Sequence, residues 1–454
     1  MTVKDNHQKY LRLRNEYSFF EYQSYSFVLN DGNLEATYCF NLSNEYFFNP
    51  TIRIPSRNFY SINSTNKEVL NNFVFHIGMV ELISYWKAAC PVKLIIRPQK
   101  LDEKQISWWK KLYFHGLGEF FYLNGINAEY DSFMSIFSHG EKIVLSDLEL
   151  NHQKVIVPIG GGKDSVVTLE LLTRNNQKIV PMIINPRTAS IATIETSGYS
   201  ELRSIIINRK IDKGLLKLNE LGFLNGHTPF SALIAFTGAL SCALTGIANI
   251  ALSNESSANQ STVPGSNINH QYSKSFEFEC DFVWYLQNYV HPDIRYFSFL
   301  RPVNELQIAK MFSKYIQHYD GFKSCNVGSK TDIWCGECPK CLFTFIILSP
   351  FVEHDRLVDI FGKDMMDEQA LLKIFNELTG VSKVKPFECV GTPEEVLAAL
   401  WKYSKNIESK PLLLKDLKIT DSNSIDFSNL ISEYNTEHLI PEKFEFILKN
   451  ALND

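Results

Sequence analysis

Cysteine is scarce in this chain, nine residues in 454, and four of the nine fall between positions 325 and 341. So sparse a set excludes a disulfide scaffold, and its crowding points to metal rather than oxidation. An excess of one charge is also missing. The 45 Lys and Arg residues face 50 Asp and Glu, a formal net charge of −5, which argues against a nucleic-acid binder and for a small or specific partner. Hydrophobic residues at 45% and charged ones at 21% exclude general disorder, and about three domains of 100 to 200 residues are expected. The polar stretch from Met1 to Lys9 lacks the apolar core of a signal peptide, so a cytoplasmic protein is expected. Phe230 to Ser253 lacks charge altogether over 24 residues, enough to span a bilayer. Ser231, Thr237, Gly238, Ser241, Thr245 and Asn249 dilute that run and Gly246 divides it. It reads as a buried helix and then a central strand, with no membrane insertion.

The most informative stretch runs from Lys154 to Leu172, an apolar strand that enters three glycines and then a helix. Val155 to Ile159 suits a strand buried on both faces, and Val166, Val167, Leu169, Leu171 and Leu172 give the next segment an apolar side. Between them, Gly160, Gly161, Gly162, Lys163, Asp164 and Ser165 form an anion-binding loop, because glycines admit close backbone approach and the free N–H groups of a new helix point at its guest. It is not a Walker A loop: Val157 stands where the first glycine belongs, and Asp164 replaces the magnesium-binding hydroxyl residue. It resembles the Ser-Gly-Gly-x-Asp-Ser signature of the PP-loop ATP pyrophosphatases, with Gly160 in place of the leading serine. A helix terminus supplies only about 0.3 to 2 kcal/mol toward an anion, so magnesium is expected beside a triphosphate, with Asp164 as its candidate ligand.

Residues 17–62 are rich in Tyr and Phe with partial alternation and read as strands, their aromatics either core or a platform for a base. Helices are expected over 70–90 and 102–123. From Val155 onward strands and helices alternate, which predicts a parallel sheet with strands at 155–159, 179–184, 247–252 and 295–300. Ligands of such sheets bind beyond the carboxyl ends of the strands. The polar stretches expected there include Asn185-Pro186-Arg187, Ser253 to Ser256 and Arg301 to Glu305. Asn225-Gly226-His227-Thr228-Pro229 opens the uncharged helix, and the segment from Asn269 through His270 and Lys274 to Glu277 is dense in catalytic residue types. Cys325, Cys335, Cys338 and Cys341 offer four thiolates for a structural zinc ion, an iron–sulfur cluster being the other ligand that such a set suits. Beyond residue 350 the pattern is helical, and Thr392-Pro393-Glu394-Glu395 is a capping box.

The central part resembles the 7-cyano-7-deazaguanine synthases, PP-loop enzymes with a similar zinc cluster. Phe75 to Glu81, Ser84 to Lys87, Val157 to Ser165, Asn269 to Glu279 and Lys385 to Thr392 together resemble the UDP-N-acetyl-α-D-muramoyl-L-alanyl-L-glutamate epimerases, over about residues 70 to 403. That resemblance implies an α/β, PP-loop (adenine nucleotide α-hydrolase-like) core at 151–350 with the zinc cluster, an N-terminal α+β domain at 1–150 and a helical C-terminal domain at 351–454. It implies inversion of a terminal L-glutamate on a UDP-linked muramoyl dipeptide with ATP and magnesium, through an adenylated carboxylate. Gly160, Gly161, Gly162 and Ser165 are then expected on phosphate, with Lys163, Arg187 and Asn185 beside it. His227, His270, Glu277, Lys274 and Cys389 are the candidates for proton transfer, Cys389 with a thiol activated by the helix after Thr392. The rival readings are a PP-loop ligase or amidotransferase and a non-catalytic ATP sensor.

Overall fold

The computed structural model describes residues 3–453 apart from 31–32, 56–66, 143–144, 146–147, 264, 267, 383, 416 and 418–425. Residues 56–62 of the aromatic stretch therefore lie outside the described residues. The strands are β1 Phe19–Asn30, β2 Asn33–Leu42, β3 Tyr46–Phe48, β4 Thr51–Ile54, β5 Lys93–Ile96, β6 Ser135–Ser138, β7 Asn151–Pro158, β8 Lys178–Ile184, β9 Ile205–Lys210, β10 Ile247–Leu252 and β11 Arg295–Ser298. They form an 11-stranded, mostly parallel sheet in the order β11-β10-β7-β8-β9-β4-β2-β1-β5-β6, with β3 on β2.

From β11 to β9 every pairing is parallel. Their hydrophobic residues run in short continuous stretches because both faces are covered: all six residues of β10 are buried. Successive residues of β7 enter opposite cores, Val155 and Val157 on one face and Ile156 on the other. The antiparallel junction of β4 with β9 joins this part to the aromatic strands. There Phe20, Tyr22, Tyr38, Phe40 and Phe48 are fully buried, so the aromatics are core. β9 is not among the expected strands. Ile205 to Ile207 is its only apolar run, too short to alternate, and it is recognised only by pairing with β8.

The uncharged run forms a buried helix, Phe230–Thr245, that ends at Gly246 with φ of 67°. Three of its hydroxyls bond back into the helix, Thr237 to Leu233 O at 2.7 Å, Ser241 to Thr237 O at 2.8 Å and Thr245 to Ser241 O at 2.7 Å. They are therefore satisfied without water. No helix among the described residues is long and apolar enough to cross a membrane.

Walking the sheet, β7 is followed on one side by β8 and β9 and on the other by β10 and β11. Connections leave β7 and β10 in opposite directions, which opens a crevice over their carboxyl ends.

Candidate active site

A cavity of about 510 Å³ lies over that crevice, of the size that holds small molecules. Its floor is the ends of β7, β8 and β10, and its walls include Gly160, Gly162, Asp164, Ser165, His227, His270, Lys274, Lys340 and Cys389. Segments scattered over more than 200 residues thus meet at one edge of the sheet.

The glycine loop is held from below. Gly161 has φ of +89°, and a Cβ there would sit 2.8 Å from the backbone of Ala189 and Ser190. A Cβ on Gly160 would meet nothing within 4 Å, because that glycine faces the cavity. The Ser165 hydroxyl accepts from Gly161 N–H at 3.3 Å and donates to Gly162 O at 2.9 Å, fastening the loop to the first turn of the Lys163–Arg174 helix. Arg187 Nη2 lies 3.5 Å from Gly160 O at the rim. Asn185 is left-handed, φ 49°, and its Oδ1 accepts from Arg209 N–H at 2.7 Å, so its side chain serves β9.

Lys163 is turned away from the cavity. Its buried ammonium pairs with Asp164 and Glu305. One cation serving two carboxylates splits them. Burial raises Asp164, but Lys163 more than offsets this and holds it low, whereas burial pushes Glu305 up further than Lys163 can counter. Lys163 is therefore a counter-ion of the loop in this structure.

Across the cavity, Lys274 Nζ donates to Cys389 Sγ over 3.2 Å. Burial alone would raise the Cys389 thiol, but Lys274, Lys340 and His270 hold it well below the usual thiol range. Thr392 and Glu395 cap the helix that follows. His270 Nδ1 donates to Glu119 Oε2 at 2.5 Å. Burial disfavours its charge, yet Cys389 and Glu119 together push His270 up to about 9. His227 stands beside it, ring centroids 4.6 Å apart, and burial followed by the His270 charge lowers it to about 4. The pair is thus one charged and one neutral imidazole. Arg301, fully buried, donates to Lys274 O at 2.5 Å and to Glu279 Oε2 at 2.9 Å, fixing the segment that carries Lys274.

His227, His270, Lys274 and Cys389 are therefore brought together. Glu277 is not: its exposed carboxylate pairs with Lys111 at 2.7 Å, outside the cavity, because the Phe276–Tyr285 helix turns that residue outward. Glu119 and Lys340 were missing from the sequence-derived set. Nothing in the local sequence marks Glu119, which lies on the short Gly118–Leu123 helix. Lys340 stands between two of the clustered cysteines, a position that could have drawn attention.

The four cysteine sulfurs lie within 4.8 Å of one another and could hold a metal ion. Three of the six sulfur–sulfur edges are 3.7, 3.7 and 3.4 Å, close to the roughly 3.8 Å edge of a tetrahedron with metal–sulfur bonds near 2.3 Å. Gly328 N–H donates to Cys325 Sγ at 3.1 Å. Just ahead of Cys325, Lys323 N–H donates to Gly161 O at 2.8 Å, and Ser324 packs on Gly162. The cluster thereby buttresses the glycine loop.

A mostly parallel sheet with a ligand-sized pocket over its carboxyl edge and a four-cysteine cluster bracing the pocket's loop defines an α/β protein built around a small-molecule site. The chain belongs to the MurL family: the model of the MurL N-terminal domain matches residues 12–299 and that of the MurL C-terminal domain residues 321–418. It is 32% identical over 405 residues to the UDP-N-acetyl-alpha-D-muramoyl-L-alanyl-L-glutamate epimerase of Xanthomonas oryzae pv. oryzae (strain MAFF 311018), covering 86% of this chain and 88% of that protein. The protein of the same name from Salinispora tropica is 33% identical over 392 residues, 84% of each. That from a Micromonospora species is 34% identical over 330 residues, 71% of this chain and 73% of the relative.

Proposed function

We propose that this protein is an ATP-dependent epimerase that inverts the terminal L-glutamate of UDP-N-acetylmuramoyl-L-alanyl-L-glutamate during peptidoglycan precursor synthesis. The observation that carries the reading is one pocket that joins a glycine loop to the charged cluster of Cys389, Lys274 and His270. Family membership supports the choice of substrate.

The chemistry requires both halves. A free carboxylate is a poor electron sink, so its α proton is weakly acidic. Adenylation removes the negative charge, and the activated carbonyl can accept electron density when a base takes the proton. Return of a proton to the other face gives D-glutamate, and hydrolysis releases AMP. Gly160, Gly161, Gly162 and Ser165 would cradle the phosphates as in a PP-loop core, with Arg187 at the rim and Lys340 across from it. Asp164 would hold magnesium, which supplies charge neutralisation for the phosphates. His227, His270, Lys274 and Cys389 are the groups available to move protons at the α carbon. Cys325, Cys335, Cys338 and Cys341 would hold zinc as a closed shell with no open position, and hence a structural one. ATP and UDP-linked precursors are cytoplasmic metabolites, which is where the reaction belongs.

The test is incubation of the L-Ala-L-Glu precursor with ATP and magnesium in deuterated water. Product D-glutamate carrying deuterium at the α carbon is expected, with one AMP and one pyrophosphate per turnover. An amide product, or inversion without ATP, would overturn the reading.

A further inference from the structure

Cys389, His270 and Glu119 come from three distant parts of the chain and meet at the pocket. His270 and Cys389 line the same pocket, with His270 among the positive neighbours of the sulfur, and His270 Nδ1 lies 2.5 Å from Glu119 Oε2. Lys274 Nζ reaches the same sulfur at 3.2 Å. A thiolate, an imidazolium beside it and a carboxylate that orients the imidazolium are the parts of a nucleophilic site. Resting on the proposed adenylation, we propose that Cys389 takes the glutamyl group from the adenylate and that inversion occurs on the resulting thioester.

In the first step the sulfur electron pair attacks the carbonyl carbon. A C–S bond forms, the C–O bond to the adenylyl phosphate breaks, and its electron pair leaves with AMP. The α proton then passes to a base and a proton returns to the opposite face, with no net change in composition. Finally water adds to the thioester carbonyl while His227, held neutral, takes one of its protons. The C–S bond breaks and its electron pair returns to Cys389 as thiolate. The sum is ATP and water to AMP and pyrophosphate, with one centre inverted.

The surroundings favour this role for the sulfur over carriage of the α proton. Lys274, Lys340 and His270 all bear on it, and a thiolate so stabilised is a weak base. Its nucleophilicity falls less, by only about 0.4 to 0.5 of the loss in basicity on a logarithmic scale. Sulfur donates little electron density to a carbonyl, so the thioester keeps the α proton acidic after AMP has left. His227, 3.5 Å from Glu119 and held neutral, is then available to that proton.

The enzyme is mixed with UDP-N-acetylmuramoyl-L-alanyl-L-glutamate, ATP and magnesium, quenched in acid within one turnover, digested and weighed. The peptide containing Cys389 should gain the substrate mass less one water, and AMP should lead free product by up to about one equivalent per active site. Pyrophosphate release with no adduct, and with AMP and product rising together, overturns the thioester while leaving adenylation standing. Absence of substrate-dependent pyrophosphate release overturns adenylation and the thioester with it. In a second arm, Cys389→Ser should lose α-deuterium incorporation by about a hundredfold or more while still catalysing ATP–pyrophosphate exchange, which also reports an intact fold. Deuterium incorporation within about tenfold of the parent overturns the proposal. The wild-type mass measurement decides whether or not the variant folds.

Discussion

Lys274 Nζ and Cys389 Sγ, 115 residues apart in sequence, meet at 3.2 Å across the pocket. The ammonium is one of three positive neighbours that keep the thiol ionised. Replacing it in Lys274→Met should move the pH at which Cys389 becomes reactive toward iodoacetamide upward, by about one unit or more. The same pH profile in parent and variant would show that Lys274 does not hold the thiolate.

His270 should stay protonated at pH values where an ordinary histidine is neutral. Its pKa is raised in the folded protein from 6.5 to about 9. A raised value means that the contribution to stability is fully present below about 6.5 and is lost as the pH rises through about 9. An imidazole NMR titration should find one ring changing near pH 9 and its neighbour His227 near 4. Two rings titrating together near 6.5 would dissolve the assigned charges.

Two adjacent glycines should respond differently to the same methyl group. Gly161→Ala forces a Cβ against Ala189 at a left-handed position, and should destabilise the fold by about 1 to 3 kcal/mol in thermal denaturation. Gly160→Ala meets no protein atom within 4 Å, so stability should stay within about 0.5 kcal/mol of the parent while the apparent affinity for ATP falls. A nucleotide affinity unchanged in Gly160→Ala would remove the loop from the binding site.

Metal analysis should return one zinc per chain, and Cys338→Ser or a chelator should release it. Because the segment before Cys325 is bonded to Gly161, loss of the metal should loosen the glycine loop. The melting temperature and ATP binding should therefore fall together, the structural metal site being worth on the order of 10 kcal/mol. A zinc-free protein with unaltered nucleotide affinity would separate the two.

Glu277→Gln should leave turnover within about twofold, as expected for an exposed pair such as Glu277 with Lys111. A loss of about a hundredfold or more would return Glu277 to the proton-transfer set.

Much of the site could be read from local signals. The glycine loop was legible because strand, loop and helix are contiguous, and the cysteine cluster because its four members lie close together in the chain. His227, His270 and Lys274 lie in polar segments that follow or precede apolar runs, which marked them without orienting them. The same logic selected Glu277, and there it failed, since helix phase relative to neighbouring elements decides which side a residue faces. Glu119 offered no signal: an acidic residue on an aromatic helix is ordinary until two histidines from residues 227 and 270 arrive beside it.

The chain alone thus determined what depends on near neighbours: a buried helix in place of a membrane span, a mostly parallel α/β core, a glycine-rich turn into a helix and a four-cysteine cluster. Tertiary structure decided what depends on distant ones. It turned Lys163 inward to Asp164 and Glu305, added β9 and the junction through β4, and assembled Glu119, His270, Lys274 and Cys389 around one sulfur. The physical reason is that backbone conformation and metal spacing are set within a few residues. Burial and Coulomb interactions, which set the charge of a thiol or an imidazole, act through space between segments that the sequence keeps far apart.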